Sequence, residues 1–527
     1  MENLSFNSLK FALEDPEIRV RDEMENKVIR KHIIGLVTEG GFLSKKVGKK
    51  YYYPFAKDLN CIIGARGTGK STLLNCIVSC FLGKTPSSDF REFLSEFNNI
   101  LIYFNNNNND YCIKCTPTKQ VDEYIKGKRS SFEQNKISNW ISLYRRSKLG
   151  NFNKLSKKDE KRILEEFFVD FFQQSKINEI GENIEGILEL IKNVIKNSDK
   201  KIKYEEILEK VNEIKSKIKS QIIMKDKISN YKYNLYTEIE KLKIYYAKLD
   251  SMYTEIIDKL NISMENKVKI KFERYNSIKK FAYENLDNSL RMEFATEVIK
   301  NKSEEILANI LEKIDLFDLI DFNKGNIKRH IKKMYQLNSS KDVELDKEEK
   351  LKILDLINNS LKYMINNIER QSDYYNLSVK FNVNSFQENS SQVNYRELNK
   401  LSYGQRAVAI LIIITQGLSA YNVDYPLIID QPEDHLDNTF IFNNLVKEIR
   451  ALKEKRQIIL VTHNANIPIS GDAENIICLN SDGEKGWIEL NGPLDNEKIA
   501  LKALNILEGG EKSFKRRGKK YKTLTHK

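Results

Sequence analysis

The sequence predicts an α/β fold whose sheet material comes from both ends of the chain, with a large all-helical region inserted between them. Three observations carry this. A glycine-rich segment, GARGTGKS (Gly64–Ser71), follows one apolar run and opens another with helical character. Short apolar or alternating runs bounded by turn residues crowd the first and last quarters of the chain. Between them, no proline falls from Pro117 to Pro426, and that stretch is rich in Lys, Glu, Ile, Leu and Asn, the composition of helix.

In chain order, the expected strands are HIIGLV (His32–Val37), LNCIIG (Leu59–Gly64), ILIYF (Ile100–Phe104) and YCIKC (Tyr111–Cys115). NNNNND (Asn105–Asp110) between the last two reads as a hairpin turn. After the proline-free stretch come LSVKFNV (Leu377–Val383), PLIID (Pro426–Asp430), QIILVT (Gln457–Thr462) and NIICL (Asn475–Leu479). Inside the helical block, Ile228, Tyr231, Leu235, Ile239, Leu242, Tyr246, Leu249, Tyr253, Ile256 and Leu260 keep a three-to-four spacing, as do Tyr204, Ile207, Val211, Ile214 and Ile218. That spacing suits a coiled coil or an ordinary helical bundle. A helix over 228–260 would be ~50 Å long at 1.5 Å per residue. The expected domains are 1–175, the first part of the head; 176–370, the helical insertion; 371–500, the second part of the head; and 501–527, a basic tail.

With 527 residues, 40% of them apolar, the chain can build several domains. Its net charge of +13 fits contact with DNA or RNA, as well as a solvated basic surface. Between Lys512 and Lys522 there are seven basic and no acidic residues, which fits either non-specific contact with nucleic acid or a disordered, solubilising tail. Six scattered cysteines form no disulfide framework, so a reducing cytoplasm is expected. Cys112 and Cys115 form one CxxC without a second pair, and are read as strand residues. The start of the chain lacks a signal core. The longest apolar run, Ala407–Ile414, is far short of the ~20 residues of a membrane span, so no membrane contact is expected.

The chemistry concentrates at a few points. GARGTGKS matches GxxxxGK[ST] in the strand-to-helix setting that motif requires. Glycines let backbone N–H groups surround phosphates, and the helix N-terminus favours negative charge. ATP contacts are therefore expected from Gly64, Arg66, Gly67, Thr68, Gly69, Lys70, Ser71 and Thr72, with Lys70 on the β- and γ-phosphates. The Ser71 hydroxyl and Asp430, at the end of the PLIID strand, would hold Mg²⁺. A short glycine-containing turn before a helix, LSYGQR (Leu401–Arg406), is a second anion site. His463 ends the QIILVT strand.

In this order the four motifs resemble the ATP-binding-cassette superfamily, more closely its SMC and RecF-like soluble branch. LSYGQ is similar to that family's LSGGQ, with Tyr403 replacing the first glycine. The resemblance implies an ABC-type P-loop ATPase head that pairs with a second copy across ATP. Ser402, Gly404 and Gln405 would then face the partner's γ-phosphate, His463 would be the switch histidine and Asp437 would cross the dimer interface. It also implies a glutamine that senses Mg²⁺ and water, for which Gln134 stands at a suitable place. The segments Ser8–Arg21, LNCIIGARGTGKST, LSYGQRA, PLIIDQPEDHLDN and THNANIPISGDAE together resemble the ATPase part of TrlF-type proteins, relatives of which occur in bacterial anti-phage systems. That resemblance implies a sensor or switch subunit working with a separate nuclease or toxin. A DNA-repair ATPase, or a scaffold with structural ATP that restrains a toxin, are the other readings.

Where the cassette pattern has aspartate, glutamate, proline, this chain has Asp430, Gln431, Pro432 and then Glu433. A glutamine can orient water but cannot take its proton, and general-base help is worth ~10²–10⁴-fold. Either Glu433 serves as base with Gln431 and His463 beside it, or hydrolysis is slow and the ATP-bound dimer is long-lived.

Overall fold

The computed structural model describes residues 31–45, 49–117, 137–173, 180, 184–196, 200–223, 232–274, 375–385, 392–417, 424–434 and 436–525. The chain divides into two compact units, Met1–Glu182 with Phe381–Lys527, and Asn183–Lys380. Both ends of the sequence thus build the first unit, around a segment that forms the second.

Within the described residues the first unit holds two six-stranded sheets. One contains β1 (Lys31–Gly40), β2 (Lys50–Pro54), β4 (Phe97–Asn106), β5 (Asn109–Cys115), β6 (Ile141–Arg146) and β7 (Phe152–Lys154). Its order is β2-β1-β4-β5-β6-β7, and every pair is antiparallel. The asparagine run makes the expected hairpin. Asn107 and Asn108 both have positive φ, 50° and 65°, as a two-residue turn that matches strand twist requires.

The other sheet contains β3 (Leu59–Gly64), β8 (Asp170–Phe172), β12 (Leu427–Asp430), β13 (Ile458–Val461), β14 (Asn475–Ser481) and β15 (Gly486–Gly492), in the order β15-β14-β3-β13-β12-β8. All neighbours are parallel except β14 and β15. β3, β12 and β13 are buried at every residue, which explains their continuous apolar runs. Helix α1 (Lys70–Leu82) shares one core with both sheets. Its Leu73, Leu74, Ile77 and Phe81 cluster with Ile62, Ile428 and Val461 of the parallel sheet and with Leu36, Ile102 and Ile113 of the antiparallel one. Left-handed glycines bracket the helix, Gly69 at φ 88° and Gly83 at φ 63°, because few other residues adopt that backbone without cost.

The second unit includes α2 (Ile184–Lys196), α3 (Lys201–Ile223) and α4 (Lys232–Ser263). Tyr204, Ile207, Val211 and Ile214 are buried on α3, and Leu242, Tyr246, Leu249, Tyr253, Ile256 and Leu260 on α4. The two seams face each other in antiparallel fashion: the Tyr204 and Tyr253 hydroxyls are 3.1 Å apart, and Lys215 lies over the Tyr246 ring. Ile218, Ile228, Tyr231, Leu235 and Ile239 fall outside the residues whose side chains are described. The expectation of an all-helical insertion needs correction. β9 (Val268–Arg274) follows α4, and Asn261 on α4 bonds both the N–H and the carbonyl of Ile270. Its sequence VKIKF alternates in strand fashion, with Val268 and Ile270 buried. β10 (Tyr375–Asn382) neighbours it in a small sheet.

Candidate nucleotide site

Parallel register brings the chemistry together. β13 lies between β3 and β12, with Val461 level with Ile62 on one side and Asp430 on the other. The phosphate-binding segment, the PLIID aspartate and the His463 turn therefore emerge side by side at the C-terminal ends of three adjacent strands, where open α/β sheets bind ligands.

The glycine-rich loop arches over the start of α1. Gly67 has φ 80° and open space where a Cβ would stand. Lys70 is buried, and its ammonium donates to the Gly64 and Ala65 carbonyls at 2.8 Å each. Burial lowers its pKa, while the charge of Asp430 works the other way. Thr68 is buried and donates to the Ala65 carbonyl at 2.9 Å. Arg66 is exposed; Ser71 and Thr72 are half-buried on the first turn of α1.

The loop is braced from behind by a contact between segments far apart in the chain, which leaves no local pattern. The Phe42 ring sits between Gly69 and Gly486, so that a Cβ on either would come within 2.7 Å of it. The Gly486 N–H donates to the Phe42 carbonyl at 2.8 Å, and the Lys485 ammonium to the Gly41 carbonyl at 2.8 Å.

Asp430 is buried, and among the described residues its Oδ1 has no hydrogen-bond partner. Burial raises its pKa, and the neighbouring Ser71 side chain and the charge of Lys70 work the other way. A hydroxyl and a carboxylate with a free oxygen, beside a phosphate loop, fit Mg²⁺, which takes oxygen ligands. Gln431 has φ 54°, a left-handed backbone that a non-glycine residue holds at a cost of order 1–3 kcal/mol. Its N–H donates to the Val461 carbonyl at 3.0 Å.

Glu433 is held firmly through one of its two oxygens. It is 8% exposed, and one oxygen, Oε1, accepts from the Thr462 hydroxyl at 2.7 Å and the His463 N–H at 2.6 Å. The other, Oε2, is buried without a hydrogen-bond partner among the described residues. Burial raises the carboxyl pKa, and these two donors hold it down. Thr462, fully buried, was not singled out by sequence reasoning, although it directly precedes His463. Burial and the charge of Lys70 lower the pKa of the His463 imidazole.

The remaining sequence candidates fall elsewhere. Ser402 caps helix α5 (Tyr403–Ile412) in a reciprocal box with Gln405: the Ser402 hydroxyl accepts from the Gln405 N–H at 3.3 Å, and the Gln405 amide oxygen from the Ser402 N–H at 3.2 Å. Gly404 occupies the first turn of α5, and the Arg406 guanidinium lies 4.6 Å from the exposed Tyr403 ring. Asp437 caps the next helical turn through the Phe440 N–H at 2.8 Å, and Asn438 there accepts from the Asn464 amide at 2.8 Å. That bond ties the Asp437 turn to the His463 turn. Gln134 and Ser8–Arg21 lie outside the described residues.

Residues 49–257 match the family model described as an AAA domain. The match contains the phosphate loop. No curated protein matches the chain in sequence. Solved structures with a similar fold include an Smc head domain with an extended coiled coil bound to the C-terminal domain of ScpA, from Pyrococcus furiosus. It has 12% identity, covering 90% of this chain and 100% of that one, at a TM-score of 0.42. The recombination mediator protein RecF with ATPrS has 13% identity, covering 88% and 99%, at 0.43. RecF with ATP has 16% identity, covering 85% and 97%, at 0.42.

Proposed function

We propose that the chain is an SMC/RecF-like ATPase that binds ATP at Gly64–Thr72 and hydrolyses it, with Glu433 as base, as a switch. One observation carries this reading: Lys70, at the start of α1, Asp430, at the end of β12, and Glu433, just past it, are each buried beside the phosphate loop, and among the described residues both carboxylates keep an oxygen without a hydrogen-bond partner. Burying charge without a partner is costly, and a phosphate-and-metal ligand supplies the missing partners.

Lys70 and the loop N–H groups bind the β- and γ-phosphates. Mg²⁺ would be held by Ser71 and Asp430, and supplies neutralisation of phosphate charge. Glu433, with its raised pKa, takes the proton of the attacking water, and Gln431 orients that water. His463, anchored through its N–H to Glu433, stands at the γ-phosphate. Ser402, Gly404, Gln405 and Asp437 serve a second copy across the ATP, giving a homodimer or higher oligomer. The flanking resemblance to TrlF-type ATPases supports a cytoplasmic sensor or switch subunit in anti-phage defence, coupled to a separate nuclease or toxin. Among the described residues no helix is long and apolar enough to cross a membrane.

Lys70→Ala tests the binding site. Calorimetric titration with ATP and Mg²⁺ is expected to show binding to the wild type and none to the variant. Equal affinity in both overturns the assignment.

A further inference from the structure

The last described helix, α8 (Glu511–Thr525), is absorbed by none of this chemistry. Every residue from Glu511 to Tyr521 is exposed. Its link to the preceding helix α7 (Glu497–Leu507) includes a pairing of Arg517 with Glu508 and a bond from the Phe514 N–H to the Gly510 carbonyl. An amphipathic helix ordinarily gains its stability by burying one face, and over these residues α8 buries none.

Its charge makes the situation more acute. Helical spacing puts Lys512, Arg516, Lys519 and Lys520 on one stripe, with Lys515 at its edge. Lys512 and Arg516 are like-charged at i,i+4, an arrangement that weakens a helix. The acidic residue of the helix, Glu511, pairs with Lys515. The opposite face carries Phe514 and Tyr521, 52% and 63% exposed, with Gly518 between them. Two separated rings are far less apolar surface than helices that lie in a lipid interface present. Protein partners are gripped mainly through buried aromatic and apolar anchors, whereas this stripe offers charge alone. A dense line of phosphates complements it, relieving the internal repulsion and releasing condensed counterions.

We propose that α8 is a nucleic-acid interface: its cationic stripe lies along the phosphate backbone of a duplex and binds without regard to base sequence. The proposal stands apart from the ATP reading, since it uses no residue of the nucleotide site.

The test uses the full chain and fluorescein-labelled DNA duplexes of two unrelated sequences, read by fluorescence anisotropy across a salt series. The wild type is expected to bind both with similar affinity, and binding should weaken steeply with salt. The triple variant K512E/R516E/K519E is expected to lose at least ~10-fold in affinity on both duplexes, with the salt slope reduced by about 3. Its calorimetric response to ATP should match that of the wild type, which shows that the head is intact. Phe514→Ser/Tyr521→Ser is expected to bind duplex as the wild type does. No duplex binding by the wild type at low salt overturns the proposal, as does unchanged affinity in the triple variant. Loss of binding in the aromatic variant, accompanied by wild-type binding to phosphatidylserine vesicles, overturns it in favour of a membrane surface.

Discussion

At the residue scale the site turns on the two oxygens of Glu433. Oε1 is held by the Thr462 hydroxyl and the His463 N–H, while Oε2 is buried and has no hydrogen-bond partner among the described residues. A base needs this combination, a carboxylate that cannot swing away but still has a lone pair to offer. Thr462→Val keeps the shape and removes one donor from a buried, ionisable partner. A bond of that kind contributes about 1.5–3 kcal/mol. The variant is expected to melt several degrees lower in scanning calorimetry, to bind ATP normally and to hydrolyse it about tenfold more slowly. Unchanged melting and turnover would remove Thr462 from the account. Gln431 adds a second constraint. Its left-handed backbone is strain of the kind that collects at functional sites, and it turns the chain sharply between the metal-side aspartate and Glu433.

At the element scale, the brace behind the phosphate loop has consequences of its own. A Cβ at Gly486 would lie 2.7 Å from the Phe42 ring and 2.9 Å from the Thr68 carbonyl. The first can yield by ring movement; the second is loop backbone. Gly486→Ala is therefore expected to shift the loop and weaken ATP binding at least ~10-fold, with a smaller effect on melting, measured by calorimetric titration and thermal unfolding. Wild-type affinity in that variant would show that the loop does not depend on its brace.

Much at this scale is legible in the sequence, because its signals are local. Fully buried parallel strands read as apolar runs, so LNCIIG, PLIID, QIILVT and NIICL stand out, and paired asparagines announce a two-residue hairpin. β9 is missed because a seven-residue alternation sits within a long lysine-rich, proline-free stretch whose average character is helical. β6, β8 and β15 are missed for a related reason. Their apolar residues are sparse or interrupted, and pairing with better-marked neighbours is what makes them strands. Contacts between distant segments leave no local pattern: Phe42 against Gly486, Thr462 against Glu433, and Arg456 buried against Asp170. The site was legible as a set of motifs; the pin on Glu433 and the brace behind the loop were not.

At the scale of the whole molecule, segments from both ends of the chain share one unit, and the LSYGQ turn is capped by its own side chains, with Ser402 and Tyr403 exposed. An exposed helix start of this kind suits the phosphate of a neighbouring copy. Light scattering of the full chain with ATP and Mg²⁺ is expected to show association that Ser402→Arg prevents while leaving ATP binding intact. If Ser402→Arg assembles as the wild type does, the turn does not face a partner's nucleotide. Slow turnover would keep such an assembly in place for long periods, as a switch requires. The base therefore decides the behaviour of the whole, and ATP turnover in Glu433→Gln and Gln431→Ala, measured side by side on protein shown to bind ATP, tests it most directly. The account predicts that Glu433→Gln binds ATP and loses turnover, by ~10²-fold or more, while Gln431→Ala retains a measurable rate. Normal hydrolysis by Glu433→Gln, with none by Gln431→Ala, would contradict it.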